Sequence, residues 1–250
     1  MLSPFSITVH TYPSPTPSSS ASHTYEHPSP SPSPRNAIIF VPGLGKLSSL
    51  SPLYHTTQSS HLTGDGPHSV PYVHTLAASL PSSLGYSIFE IRLRSAYTAF
   101  GTGDLARDVE DIRALVRYLR GRGKERIVLL GHSTGCQDGV AFANSVCGDG
   151  EGKRGGDEDV DGFILQGPVS DREALGMVME ENDIRESVAW AEDRIKQGKG
   201  REEMMPGRWM PVGFRDGPVT AYRWWSLAGF WYVFSPPHPD TPLPAEEGEI

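Results

Sequence analysis

Residues 127–138 constrain the fold more tightly than any other stretch. Ile127-Val-Leu-Leu130 is a short unbroken aliphatic run, the pattern of a strand buried on both faces. It leads directly into Gly131-His132-Ser133-Thr134-Gly135, and Cys136 to Val146 continues with helical character. A strand that becomes a helix within five residues turns too sharply for Cβ atoms at either end. The serine between the glycines is then strained, with its hydroxyl above the end of a sheet. This is the G-x-S-x-G elbow of serine nucleophiles. The bland alternative, a strand-to-helix turn with a capping serine, fits the five residues alone. The strand before and the helix after favour the elbow.

The surrounding chain repeats the alternation. Ala37-Ile-Ile-Phe-Val41 is another buried-strand run, ending at Pro42-Gly43-Leu44-Gly45. Val70 to Leu84 has helical spacing, and Ser87 to Leu93 reads as a strand. Leu105, Val109, Ile112, Val116 and Leu119 mark an amphipathic helix. Asp104, Asp108, Glu110 and Asp111 open that helix and Arg117, Arg120 and Arg122 close it, the order that complements its dipole. Gly162-Phe-Ile-Leu165 is a further strand. Alternation across 36–167 predicts an α/β fold, a mostly parallel sheet with helices on both faces.

Four regions are expected. Residues 1–35 hold a short edge strand, Phe5 to Tyr12, and a Pro/Ser-rich stretch over 13–34 too poor in apolar surface to order itself. Residues 36–171 form the core, with Lys46–Ser69 and Gly148–Asp161 as inserted loops. Residues 172–234 carry a polar helical stretch, Glu173–Lys199, and an aromatic patch, and read as a lid. Residues 235–250 are a Pro/Glu tail without a core-forming pattern, expected to be disordered.

Composition narrows the function. The 250 residues suffice for one large core, and a net charge of −8 argues against a nucleic-acid partner. Two cysteines rule out a disulfide-rich secreted module and are too few for a zinc cluster, which favours a reducing, cytoplasmic setting. The best apolar run, Trp224–Phe234, falls short of the ~20 residues of a membrane span. Gly43-Leu-Gly45-Lys46 fails as a P-loop, because Phe40 stands where the first glycine belongs and Leu47 replaces the Ser/Thr. Asp157 to Gly162 opens like a calcium loop, but its twelfth position is Pro168. No metal or cofactor is expected.

A serine nucleophile needs amides for the oxyanion and a base for its proton. The amide of Thr134 is the first donor, and Leu44 or Gly45, in the loop after an earlier strand, is the second. The order of this class is serine, acid, histidine. Outside the elbow, only His238 follows Ser133 among the nine histidines, in a proline-rich context that suits a solvated tail better than a catalytic base. Strands at Trp209–Phe214 and Phe230–Phe234 could deliver Asp216 and His238, a reading their shortness weakens.

Gly131-His-Ser-Thr-Gly-Cys-Gln-Asp138, Phe163-Ile-Leu-Gln-Gly-Pro-Val-Ser-Asp-Arg-Glu173 and Pro218-Val-Thr-Ala-Tyr-Arg223 together resemble the fungal α/β-hydrolase family of formerly unknown function that includes the siderophore (fusarinine-type) esterases. The resemblance spans about residues 36–227. It implies an α/β-hydrolase fold and a serine esterase whose substrate is a small-molecule ester of the hydroxamate-siderophore kind, with Ser133 as nucleophile and Gly43–Gly45 as oxyanion loop. Beyond Tyr222-Arg-Trp-Trp-Ser-Leu227 the family continues through strands that supply acid and histidine, whereas this chain diverges, as a truncated product would. The acid and base are not carried over, and a catalytically impaired homologue is the alternative.

Overall fold

The computed structural model describes residues 6–16, 21–30, 32–45, 63–64, 68–147, 158–211, 214–215 and 217–229. A six-stranded sheet is built from β1 (Thr8–Tyr12), β2 (Ser22–Glu26), β3 (Asn36–Val41), β6 (Tyr86–Ile91), β7 (Arg126–His132) and β8 (Gly162–Gln166). Their spatial order is β1-β2-β6-β3-β7-β8. The first three pair antiparallel and the last four parallel, so the sheet is mixed but mostly parallel. A separate two-residue ladder joins β4 (Leu44–Gly45) to β5 (Thr63–Gly64).

Helices lie on both faces, as the alternation predicts. The face of Ile38, Phe40, Ile88 and Leu130 is covered by α1 (Pro71–Ser83) through Val73 and Ala77. The opposite face, with Ile39, Val41, Phe89 and Leu129, packs against α2 (Leu105–Gly121) and α3 (Gly135–Cys147). Helix α2 is N-capped by Asp104, whose side chain accepts from Arg107 N at 3.0 Å. β8 is the outer strand, and Phe163, Ile164 and Leu165 there are each more than 40 % exposed.

Three expectations change. The Pro/Ser stretch contributes β2, which pairs with both β1 and β6 and buries Thr24 completely, its Oγ1 donating to Glu90 O at 2.9 Å. Prolines stop at 17 and resume at 28, so a proline-free segment lies inside a proline-rich average. Second, Glu173–Lys199 is two helices, α4 (Asp171–Gly176) and α5 (Glu181–Lys196). Third, the described part of Trp209–Phe214, where a strand could have delivered Asp216, is not strand: Gly207–Trp209 is a 3₁₀ turn, and Trp209 and Phe214 pack against a second apolar cluster.

That second cluster gives the region after residue 171 a core of its own. Ile184, Val188 and Ala191 of α5 meet Trp224 and Trp225 of α6 (Ala221–Ala228), and the buried Trp224 Nε1 donates to Ser187 Oγ at 2.9 Å. The region is joined to the sheet domain by Arg201, which pairs with Asp104, and by Thr220 N, which donates to Gly101 O at 2.9 Å. Among the described residues no helix is long and apolar enough to cross a membrane.

Candidate active site

β7 ends at His132, and Ser133 takes a φ of +53°, left-handed backbone that a residue with a side chain adopts only under constraint. The constraint is visible on both sides. Ser133 N donates to Gln166 O at 3.0 Å, extending the β7–β8 pairing, and Ser133 O accepts from Cys136 N at 3.0 Å in the first turn of α3. The flanking glycines have no space for a side chain. A Cβ at Gly131 would lie 2.5 Å from Gly135 O, and one at Gly135 would lie 2.4 Å from Val41 O and 2.5 Å from Pro42 O.

The loop after β3 closes over this turn. The residue pressed against it is Gly43, where a Cβ would come within 2.8 Å of Ser133 Cβ and 3.2 Å of Thr134 N. Leu44, one position on, enters the small ladder opposite Gly64. Among the described residues no backbone acceptor faces the Thr134 amide. Ser133, Thr134, Gly131, Gly135 and the 42–44 loop are therefore brought together.

Asp216 and His238 lie outside the described residues. Among the described residues no side chain hydrogen-bonds to Ser133 Oγ. His132 is turned aside: its Nδ1 hydrogen-bonds to Gln166 Oε1, and its ring packs beside Phe40 and Tyr72.

Next to the elbow is a feature sequence reasoning did not single out. Pro42, Gly43, Thr134, Gln137, Ser95 and Phe100 border a cavity of about 20 Å³, room for roughly one water. Asp108, Asp138 and Arg223 share its wall. All three are buried, and among the described residues Asp108 Oδ1, Asp138 Oδ1 and Arg223 Nε have no hydrogen-bond partner. The guanidinium of Arg223 lies over the Phe100 ring at 4.2 Å. Burial, only partly offset by a hydrogen bond from Ser95 and the charge of Arg223, pushes the Asp108 carboxyl up to about 7. Burial, then the neighbouring Asp108 charge, holds Asp138 well above the usual carboxylate range, and burial also raises Asp171. The sequence signal was a charged residue on an apolar face: Arg223 within Tyr222–Trp225, and Asp138 within the helix after the elbow.

The esterase AN6793 of Emericella nidulans is 33 % identical over 148 residues, which cover 51 % of this chain and 39 % of that protein. The fusarinine C esterase sidJ of Aspergillus fumigatus is 32 % identical over 134 residues, 47 % of this chain and 38 % of the relative. The chain thus spans less than half the length of either. Among solved structures, the siderophore hydrolase EstB of Aspergillus fumigatus superposes with a TM-score of 0.57 at 23 % identity, over 91 % of this chain and 65 % of EstB, a likeness of fold. The sheet, the helices on its two faces and this likeness make the fold that of an α/β hydrolase. Residues 61–232 match the family described as protein of unknown function DUF1749, and the chain belongs to that family.

Proposed function

We propose that this chain is a serine esterase of the α/β-hydrolase type acting on a small-molecule ester. The observation that carries the reading is Ser133 at φ +53°, between two glycines that admit no Cβ, with Gly43 so near that a Cβ there would meet Ser133 Cβ and Thr134 N. In this reading Ser133 Oγ attacks the acyl carbon while its proton passes to a base. The Thr134 amide, with a second amide from the 43–45 loop, holds the oxyanion. The alcohol leaves with that proton, and water then releases the acid and restores the serine. No metal or organic cofactor takes part. Asp216 and His238 are the acid and base candidates within the chain, and the α4–α6 region shapes access as a lid. The names of the fusarinine C esterase and of the siderophore hydrolase EstB support a siderophore ester as substrate, and the low cysteine count supports a reducing, cytoplasmic setting.

A fluorophosphonate probe on the full chain tests the assignment. Covalent labelling that disappears in Ser133→Ala is expected. A folded protein that takes no label sinks the reading, and labelling unchanged in His238→Ala removes His238 as the base. The second reading, a hydrolase fold without turnover, has one observation in its favour: no described imidazole meets Ser133 Oγ. Loss of a triad member can cost ~10⁶-fold in rate.

A further inference from the structure

On the α1 side of the sheet, two strands away from β7, one position breaks the apolar surface. Ile88 of β6 packs under α1, and two residues on, facing the same way, is Glu90, fully buried. A carboxylate in that place is costly unless compensated, and histidine imidazoles from separate segments surround it. His27, just past the end of β2, puts Nε2 in hydrogen-bond contact with Glu90 Oε1. His68, in the turn before α1, approaches the same oxygen with Nδ1 at 2.9 Å, and its backbone N donates to Oε2 at 2.7 Å. His74 of α1 lies against both, its ring centroid 5.1 Å from that of His27 and 6.2 Å from that of His68.

We propose that His27, His68 and Glu90 bind a zinc-class divalent ion, with water completing the fourth coordination position. One ligand atom from each of the three lies within 4.8 Å of the others. Two imidazoles and one carboxylate are a zinc donor set, at Zn–N and Zn–O distances of ~2.0–2.2 Å in a tetrahedron. Two ligands on such an ion stand about 3.3 Å apart, so the present contacts open by less than ~1 Å to admit it. The two imidazoles and the carboxylate come from stretches far apart in sequence: the end of β2, the turn at His68 with its left-handed φ of +70°, and β6. An ion there would tie the first two to the sheet, where β2 is otherwise held by five residue pairs to β1 and three to β6. The role is structural, because β3 separates this cluster from the strand that carries Ser133. No sequence motif announces it, since the spacings 27, 68 and 90 match no short metal pattern.

The test uses the full chain, stripped with a chelator and titrated with Zn²⁺ alone and with Co²⁺ as a spectroscopic substitute. One equivalent bound, tetrahedral Co²⁺ absorption bleached by Zn²⁺, and a thermal midpoint raised by roughly 5–10 °C at saturation are expected. His68→Gln, at a partly exposed position, should weaken binding by more than the ~10–100-fold that loss of a ligand's supporting partner costs. His23→Gln, on β2 and outside the cluster, should leave binding unchanged. Glu90→Gln repeats the test from the other side but at a buried site, so His68→Gln decides. Absence of stoichiometric binding, or binding indifferent to His68→Gln, overturns the proposal and leaves a hydrogen-bonded cluster only. Ser133 labelling is read separately and does not depend on this outcome.

Discussion

The buried carboxylates beside the elbow make stability fall as pH rises, and Asp108→Asn should flatten that fall. Asp108 is pushed up to about 7 by burial, against an ordinary value of 3.8. Between those values the folded chain keeps a proton that the unfolded chain releases, so each pH unit favours unfolding by about 1.4 kcal/mol. The contribution is fully present below pH ~4 and lost as pH rises to ~7, a ceiling of roughly 4 kcal/mol over three units. Asp111, Asp104 and Arg223 also act on this carboxyl, and its charge acts on Asp138, so the measured span should be smaller. Asparagine keeps an oxygen to accept from Ser95 and removes the charge. It adds a donor whose burial costs about 1–3 kcal/mol. Relative to the parent, the variant should therefore gain about 1–3 kcal/mol between pH 5 and pH 8. Urea unfolding followed by fluorescence of the buried Trp224 and Trp225 at pH 5, 6, 7 and 8 reads this directly. Parallel stability profiles for parent and variant would falsify the account of Asp108 as a carboxyl kept neutral by burial.

Other perturbations separate the elbow from its surroundings. Gly135→Ala drives a Cβ onto two backbone oxygens at the end of β3, which cannot swing away as a side chain could. It should cost about 2–3 kcal/mol in denaturant unfolding and abolish probe labelling. Gly121→Ala, with nothing within 4 Å at the last position of α2, is the matched control, expected to be neutral or stabilising by up to ~1 kcal/mol. At the elbow itself, Ser133→Gly should be more stable than Ser133→Ala by about 1 kcal/mol, because only glycine meets φ +53° without strain. Equal stabilities would mean that the turn is not strained. Trp224→Phe loses the bond to Ser187 and should cost about 1–3 kcal/mol, and Trp224→Ala, emptying a fully buried site, about 3–5 kcal/mol.

How much of this was legible in the sequence depends on the range of the interaction that fixes each feature. The strand at Ile127–Leu130, the turn at 131–135 and the helix after it are set by neighbours within a dozen residues. The apolar run, the glycines and the spacing showed all three before any coordinates. β2 was hidden because a window over 13–34 averages prolines with the ten residues between them. What makes that segment a strand is the open edge of β6, more than sixty residues away in sequence.

The charged groups show the same limit more sharply. Asp108 and Asp111 read correctly as the acidic start of α2, yet the sequence could not show that Arg223, over a hundred residues on, would be buried beside Asp108. Glu90 looked like one polar residue in a strand until His27 and His68 were placed against it. A buried charge survives only with partners, and partners supplied by other elements leave no local pattern. The backbone of the glycine-flanked turn can therefore be read from five residues, whereas the buried charges beside it, and the imidazoles around Glu90, become visible only when the sheet order brings distant segments side by side.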